Sequence, residues 1–232
     1  MTKRMIAYWV IPPQQDAEFV AGMEEVLETY EKAYDPQHPV LCMDEQPVQL
    51  LKETRTAIPA TKDHGTRVDD EYERNGTASI FMFAEPLSGF RQATARTQRT
   101  KEDWALEVAH LLDTRYTDGA KVTLVLDNLN THTKGAFYEV FEPERARAYV
   151  KRIAFCFTPK HGSWLNVAEC ELSCLSSQCL RGRHIGELDE LQTEIAAWSE
   201  STNCKQRTVD WQFKIDDARQ KLKRLYPKIK TG

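Results

Sequence analysis

Two apolar runs, residues 40–45 (Val-Leu-Cys-Met-Asp-Glu) and 122–128 (Val-Thr-Leu-Val-Leu-Asp-Asn), constrain this chain more than any other feature. Each is built from β-formers, and each stops on an aspartate, Asp44 in the first and Asp127 in the second. Short apolar runs bounded by polar residues read as buried strands. A carboxylate at the end of a buried strand is costly to desolvate unless a positive charge meets it. A divalent cation such as Mg²⁺ or Mn²⁺ would meet that need, because these ions prefer hard oxygen ligands.

A third carboxylate, Glu169, follows the segment His161-Gly162-Ser163-Trp164-Leu165-Asn166, on a stretch with helical spacing. Phosphodiester chemistry with two metals needs carboxylates that hold ions about 3.5–4 Å apart. Two strand-end aspartates and a glutamate on the first turn of a helix suit that task. The expectation is that Asp44, Asp127 and Glu169 converge, roughly 4–8 Å apart without metal.

The length of 232 residues fits one sizeable domain or a domain with appendages, and 28% charged residues with 41% hydrophobic ones describe a globular chain. No apolar run is long enough for a membrane span, and the basic start lacks the apolar segment of a signal peptide. A cytoplasmic location is therefore expected, with no membrane partner. None of the six cysteines forms a CxxC pair, so reduced thiols packed as small hydrophobes are expected. The net charge is −4, but from Lys205 onward nine Lys and Arg face three Asp, a balance of +6 that leaves −10 for the rest. A basic tail on an acidic body is a nucleic-acid pattern; a solvated helix with lysines reaching into water is the alternative.

Along the chain, an amphipathic helix is predicted for 17–31, with Phe19, Met23, Val26, Leu27 and Tyr30 on one face. The first aspartate strand covers 40–45, and a long polar excursion covers 53–76. A strand at 78–84 and a hairpin partner at 90–97 follow. A helix starts at Thr100, with Thr100 as its cap and Asp103 three residues on. After the second aspartate strand come a helix over 134–150, a strand at 153–157, and helices near 166–180, 185–203 and 216–226. The corresponding division is a linker with a helical lead-in (1–39), a catalytic domain (40–203) and a basic helical tail (204–232).

At the level of motifs, four segments carry a resemblance. They are Cys42-Met43-Asp44-Glu45, Asn75-Gly76-Thr77-Ala78 leading to Glu85-Pro86-Leu87, Leu126 to His132 (Leu-Asp-Asn-Leu-Asn-Thr-His), and Pro159 to Glu169 (Pro-Lys-His-Gly-Ser-Trp-Leu-Asn-Val-Ala-Glu). Together they resemble the catalytic domain of mariner-like DDE transposases, in particular the bacterial insertion-sequence family numbered six-thirty. The similarity runs from near residue 5 to the C-terminus. It implies an α/β, ribonuclease H-like fold with a mixed central sheet flanked by helices, and two Mg²⁺ or Mn²⁺ ions held by Asp44, Asp127 and Glu169. It also implies phosphodiester hydrolysis at element ends, strand transfer of the 3′-hydroxyl into target DNA at TA dinucleotides, double-stranded DNA as partner, and a homodimer that joins two ends.

Members of that family carry helix-turn-helix modules ahead of the catalytic domain, and this chain begins where the linker to them would end. Weak, sequence-independent DNA binding is expected of it, and truncation near Asn203 is expected to weaken that binding. A nuclease of the same fold without strand transfer is one competing function. A non-catalytic, transposase-derived DNA-binding or inhibitory protein is another.

Secondary roles are open. Asn128 and His132 would orient water, metal or phosphate, or else stabilise a turn. Lys160 and His161 would face the DNA backbone or solvent. Arg91, Arg96, Arg99 and Lys101 would contact phosphate or form a solvated face. Glu45 and Glu171 adjoin the expected ligands, but alternation and helical rotation point them elsewhere. Trp164 is expected to bury its ring and fix the start of the helix that follows.

Overall fold

Five strands form one mixed sheet in the order β3-β2-β1-β4-β5. In this computed structural model the described residues are 11–12, 14–67, 69 and 71–228. The first stretch of the similarity, near residue 5, and the basic residue Lys230 lie outside them. Strands β1 (Val40–Glu53), β2 (Tyr72–Glu85) and β3 (Phe90–Arg96) form an antiparallel meander. Strands β4 (Val122–Leu126) and β5 (Ile153–Phe157) lie parallel to β1 and to each other.

Side-chain alternation splits the core between the two faces. On one face Cys42, Ile80, Met82, Val125 and Cys156 pack against helices α1 (Ala17–Glu31), α5 (Val167–Leu175) and α6 (Leu188–Asn203). On the other, Leu41, Met43, Phe81, Phe83, Leu124 and Leu126 meet α2 (Lys101–Thr114), α3 (Lys134–Val140) and α4 (Pro143–Arg152). The predicted stripe of α1 docks it onto the sheet. Phe19, Met23, Val26 and Leu27 are fully buried, each stabilising by about 1.5–3 kcal/mol relative to exposure. The capping box at α2 forms as the sequence suggests: Asp103 donates its N–H to Thr100 Oγ1, and Thr100 N–H donates to Asp103 Oδ2.

Four local expectations change. The first aspartate strand runs on to Glu53, because β2 pairs with it from Cys42↔Ala84 to Glu53↔Tyr72. Asp44 therefore sits inside a strand rather than at its end, and the polar excursion shrinks to 54–71. Pro47 is tolerated there because β1 has no partner on its β4 side beyond Cys42. The helix at 134–150 is two helices, since Pro143 starts a new one. Cys170 and Cys204 are exposed, while Cys42, Cys156 and Cys179 are buried, and all six cysteines are free.

The basic C-terminal segment is also tied into the body. Val209 N–H donates to the Pro86 carbonyl at 2.8 Å, and Ala218 and Leu225 are buried in the α1–α5–α6 core. Truncation near Asn203 would strip core residues, so it cannot isolate a DNA-binding effect. Its short helix α7 (Ile215–Lys221) follows Trp211 and Phe213, which pack on the same cluster.

Edge strand β3 is closed by side chains of α6. Asn203 accepts from Arg91 N–H and donates to the Arg91 carbonyl, Ser199 accepts from Ala93 N–H, and Gln192 donates to the Ala95 carbonyl. These bonds occupy backbone groups that would otherwise template another strand. Among the described residues no helix is long and apolar enough to cross a membrane.

Candidate functional site

Strands β1 and β4 are hydrogen-bonded only from Val40↔Thr123 to Cys42↔Val125. Carried two residues further, that register sets Asp44 beside Asp127, at the point where the two strands part. Both aspartates follow the alternation of Cys42 and Val125, so they belong to the face covered by α1 and α5. Asp127 lies one residue beyond the end of β4, as the sequence suggests.

Helix α5 carries Glu169, exposed, on its first turn. What positions it is Asn166, a buried residue of the Trp-Leu-Asn motif that precedes the helix. Its Oδ1 caps the helix by accepting from Ala168 N–H at 3.1 Å, and its Nδ2 donates to the Met43 carbonyl at 2.8 Å. One side chain therefore fixes the start of α5 to the residue preceding Asp44. The turn before it is tight: Gly162 N–H donates to the Pro159 carbonyl at 2.8 Å. A Cβ on Gly162 would lie 2.6 Å from Pro159 Cγ, so the position excludes any side chain. Trp164 packs edge-on against Phe213, consistent with a structural ring.

The electrostatics report on the grouping. The Asp44 carboxyl is pushed up to about 6, first by burial and then by the charges of Asp127, Glu169 and Glu45, against the opposing hydrogen bond from Glu45 N–H. Asp44 thus senses both other carboxylates. His132 Nδ1 lies 2.9 Å from the buried Asp127 Oδ1 and 3.0 Å from the Asp127 main-chain oxygen, so the imidazole faces both. An all-oxygen donor set with mutual repulsion fits a hard divalent cation. Among the described residues no group of three or more His, Cys, Asp and Glu forms a ready-made metal cage.

The other predicted site residues separate. His132 is buried against the Trp104 ring, 5.4 Å between centroids, and Glu45 Oε1 lies 3.2 Å from its Nε2. Burial alone would lower the His132 pKa; the hydrogen bonds to Asp127 and Glu45 outweigh it and raise it to about 9. Asn128 and Lys160 are exposed and line an open cleft of about 530 Å³ with Phe157 and the start of α1. His161 is exposed, with a left-handed backbone at φ 67. Arg91, expected at phosphate or in solvent, is instead fully buried and pairs with Glu171 at 2.7 Å. Arg96 is held by Glu107 and Asp103. Alternation does turn Glu45 away from Asp44, and there it meets His132, a partner that no local pattern announces.

Comparison with solved structures supports the fold. The Mos1 mariner paired end complex with Mn is 13% identical with a TM-score of 0.51, covering 86% of this chain and 60% of that one. The corresponding complex with Mg is 10% identical with a TM-score of 0.54, covering 98% and 68%. The Mos1 strand transfer complex is 13% identical with a TM-score of 0.50, covering 89% and 63%. The chain thus spans 60% of the length of the first of these relatives. The shared architecture is the ribonuclease H-like sheet with flanking helices that the motifs implied. No curated protein shows significant sequence similarity to the chain. Residues 39–192 match the sequence model described as DDE superfamily endonuclease, a stretch that contains both aspartates and Glu169. By that match, which covers well over half its length, the chain belongs to the DDE superfamily endonucleases.

Proposed function

We propose that this chain is the catalytic domain of a DNA transposase, with Asp44, Asp127 and Glu169 as its metal-holding carboxylates. The observation that carries the proposal is the Asp44 carboxyl, half-buried where β1 and β4 part and raised first by desolvation and then by the charges of Asp127 and Glu169. Carboxylates that repel one another in a half-buried site are stabilised when cations enter. Two Mg²⁺ or Mn²⁺ ions held there would supply the charge that activates water and steadies the leaving oxygen. The Mos1 complexes with Mn and Mg support that choice of metal for a relative of the same fold.

The chain's own residues do the positioning. Asp44, whose carboxyl is influenced by the charges of both Asp127 and Glu169, would hold the ions together with them. Asn166 holds Glu169 in place through the Met43 carbonyl. Asn128, Lys160 and His161 are exposed, the first two in one cleft, and would meet DNA phosphates and fix register without reading bases. The reaction would cut double-stranded DNA at an element end and pass the 3′-hydroxyl to target DNA. A homodimer would bring the two ends together, and the paired end complexes of Mos1 support such a partnership. Within this reading the motifs favour a bacterial insertion sequence of family six-thirty, acting at the nucleoid.

The test is Mg²⁺- or Mn²⁺-dependent nicking of terminal-repeat DNA, followed by strand transfer with pre-cut ends. Nicking abolished by Asp127→Asn supports the proposal. Metal-independent nicking, or nicking unaffected by that substitution, would overturn it. Nicking without strand transfer would reduce the chain to a nuclease of the same fold.

A further inference from the structure

Past the pair Cys42↔Val125 no backbone ladder holds β1 and β4 together, yet the two aspartates lie just beyond that point. A side-chain bridge spans the gap from the opposite face of the sheet. Glu45, next to Asp44 on β1, places Oε1 3.2 Å from His132 Nε2. The same imidazole places Nδ1 3.0 Å from the Asp127 main-chain oxygen and 2.9 Å from Asp127 Oδ1. The His132 and Glu45 side chains are 1% and 3% exposed, so the bridge is sealed from water. Trp104 closes it, its ring tilted against His132 and set edge-on against Phe137, each 5.4 Å between centroids.

This bridge is polar where an apolar filling would serve the fold as well. Buried polar atoms are almost always hydrogen-bonded, and exceptions call for a reason. Three of the unpartnered buried side-chain atoms among the described residues belong to this one cluster: Glu45 Oε2, Trp104 Nε1 and Thr131 Oγ1. Each adds a cost that a plain structural brace would not carry. A carboxylate–imidazole pair behind a ligand is, however, the usual device for fixing that ligand's orientation.

We infer that Glu45 and His132 are positioning residues that set the separation and orientation of Asp127 relative to Asp44, so that the two carboxylates hold metal together. The inference rests on the proposed site and deepens it. The bridge holds the β4 end through the Asp127 carbonyl and carboxylate Oδ1, so that the other carboxylate oxygen would be presented to a cation.

The experiment follows Mn²⁺ binding to the full chain by loss of the free-ion electron paramagnetic resonance signal, with the thermal midpoint of each variant measured in parallel. Asp127→Asn is the control for the site itself. If it leaves Mn²⁺ binding intact, the proposed site fails. If it abolishes binding, the bridge is judged on its own variants. Glu45→Leu, which removes the acceptor, should weaken Mn²⁺ affinity by about tenfold or more. Glu45→Gln, which retains a hydrogen-bonding partner for the ring, should restore affinity to within about threefold of wild type. His132→Asn is the second breaking variant and decides the matter if Glu45→Leu fails to fold. Wild-type Mn²⁺ affinity in a folded Glu45→Leu or His132→Asn protein would overturn the inference, as would equal losses in Glu45→Leu and Glu45→Gln.

Discussion

Asn166 joins the helix that carries Glu169 to the strand that carries Asp44, so its removal should register in stability and activity together. Asn166→Ala deletes the cap of α5, worth about 1 kcal/mol. It also leaves the Met43 carbonyl without the Nδ2 donor now at 2.8 Å; an unsatisfied buried acceptor costs about 1–3 kcal/mol. The residue is 2% exposed, so water cannot readily replace either bond. The expected loss is about 2–4 kcal/mol by urea denaturation. In a chain of this size each kcal/mol moves the thermal midpoint by about 2–4 °C, so a fall on the order of 5–15 °C should follow. Asn166→Asp separates the two contributions. Aspartate caps as well as asparagine, but it cannot donate to Met43 and would set an anion against a carbonyl. A loss below about 1 kcal/mol in Asn166→Ala, or wild-type stability in Asn166→Asp, would show that the Met43 bond holds nothing. Metal-dependent nicking should fall in both variants at temperatures where they remain folded.

Other outcomes follow from the same structure. Asp127→Asn should abolish metal-dependent cleavage with a thermal midpoint close to wild type, because the exchange is nearly isosteric; turnover at the wild-type rate would refute the ligand assignment. Glu24 is held below the usual carboxylate range by its hydrogen bond from Arg219, with burial opposing and Tyr226 adding a second donor. Its contribution to stability is therefore present above about pH 4.5 and lost as the pH falls through its lowered folded value. The gap in thermal midpoint between wild type and Glu24→Gln should close on acidification from pH 6 to pH 3, and a gap that widens would contradict the linkage. The isolated chain should bind duplex DNA with a dissociation constant on the order of 10⁻⁴–10⁻⁶ M at physiological salt, with little sequence preference. Replacing the exposed Lys205, Lys223 and Arg224 by Gln should weaken binding equally on terminal-repeat and scrambled duplexes and flatten its salt dependence. Nanomolar, salt-insensitive preference for the repeat would mean that this chain reads bases itself.

Local chemistry was legible without coordinates. The stripe from Phe19 to Leu27, the capping box at Thr100 and Asp103, and the apolar runs at 40–45 and 122–126 each depend on neighbours within a turn or two. Periodicity reports such patterns directly. The approach of Asp44 to Asp127 was foreshadowed in the same way, since both end apolar runs. What periodicity does not encode is which distant element completes a residue's environment. Asp44 reads as a strand end because its neighbours turn polar, but pairing with β2 carries the strand to Glu53. Arg91 reads as a surface cation, yet Glu171 lies eighty residues away and compensates its burial. The basic C-terminal segment reads as a free tail, while Val209, Ala218 and Leu225 dock it on the core. The bridge from Glu45 through His132 to Asp127 arises only because the sheet splits between β1 and β4 and opens a buried gap there. Sequence fixed the face each side chain takes along its own element; long-range packing decided which opposite charge, carbonyl or ring that face would meet.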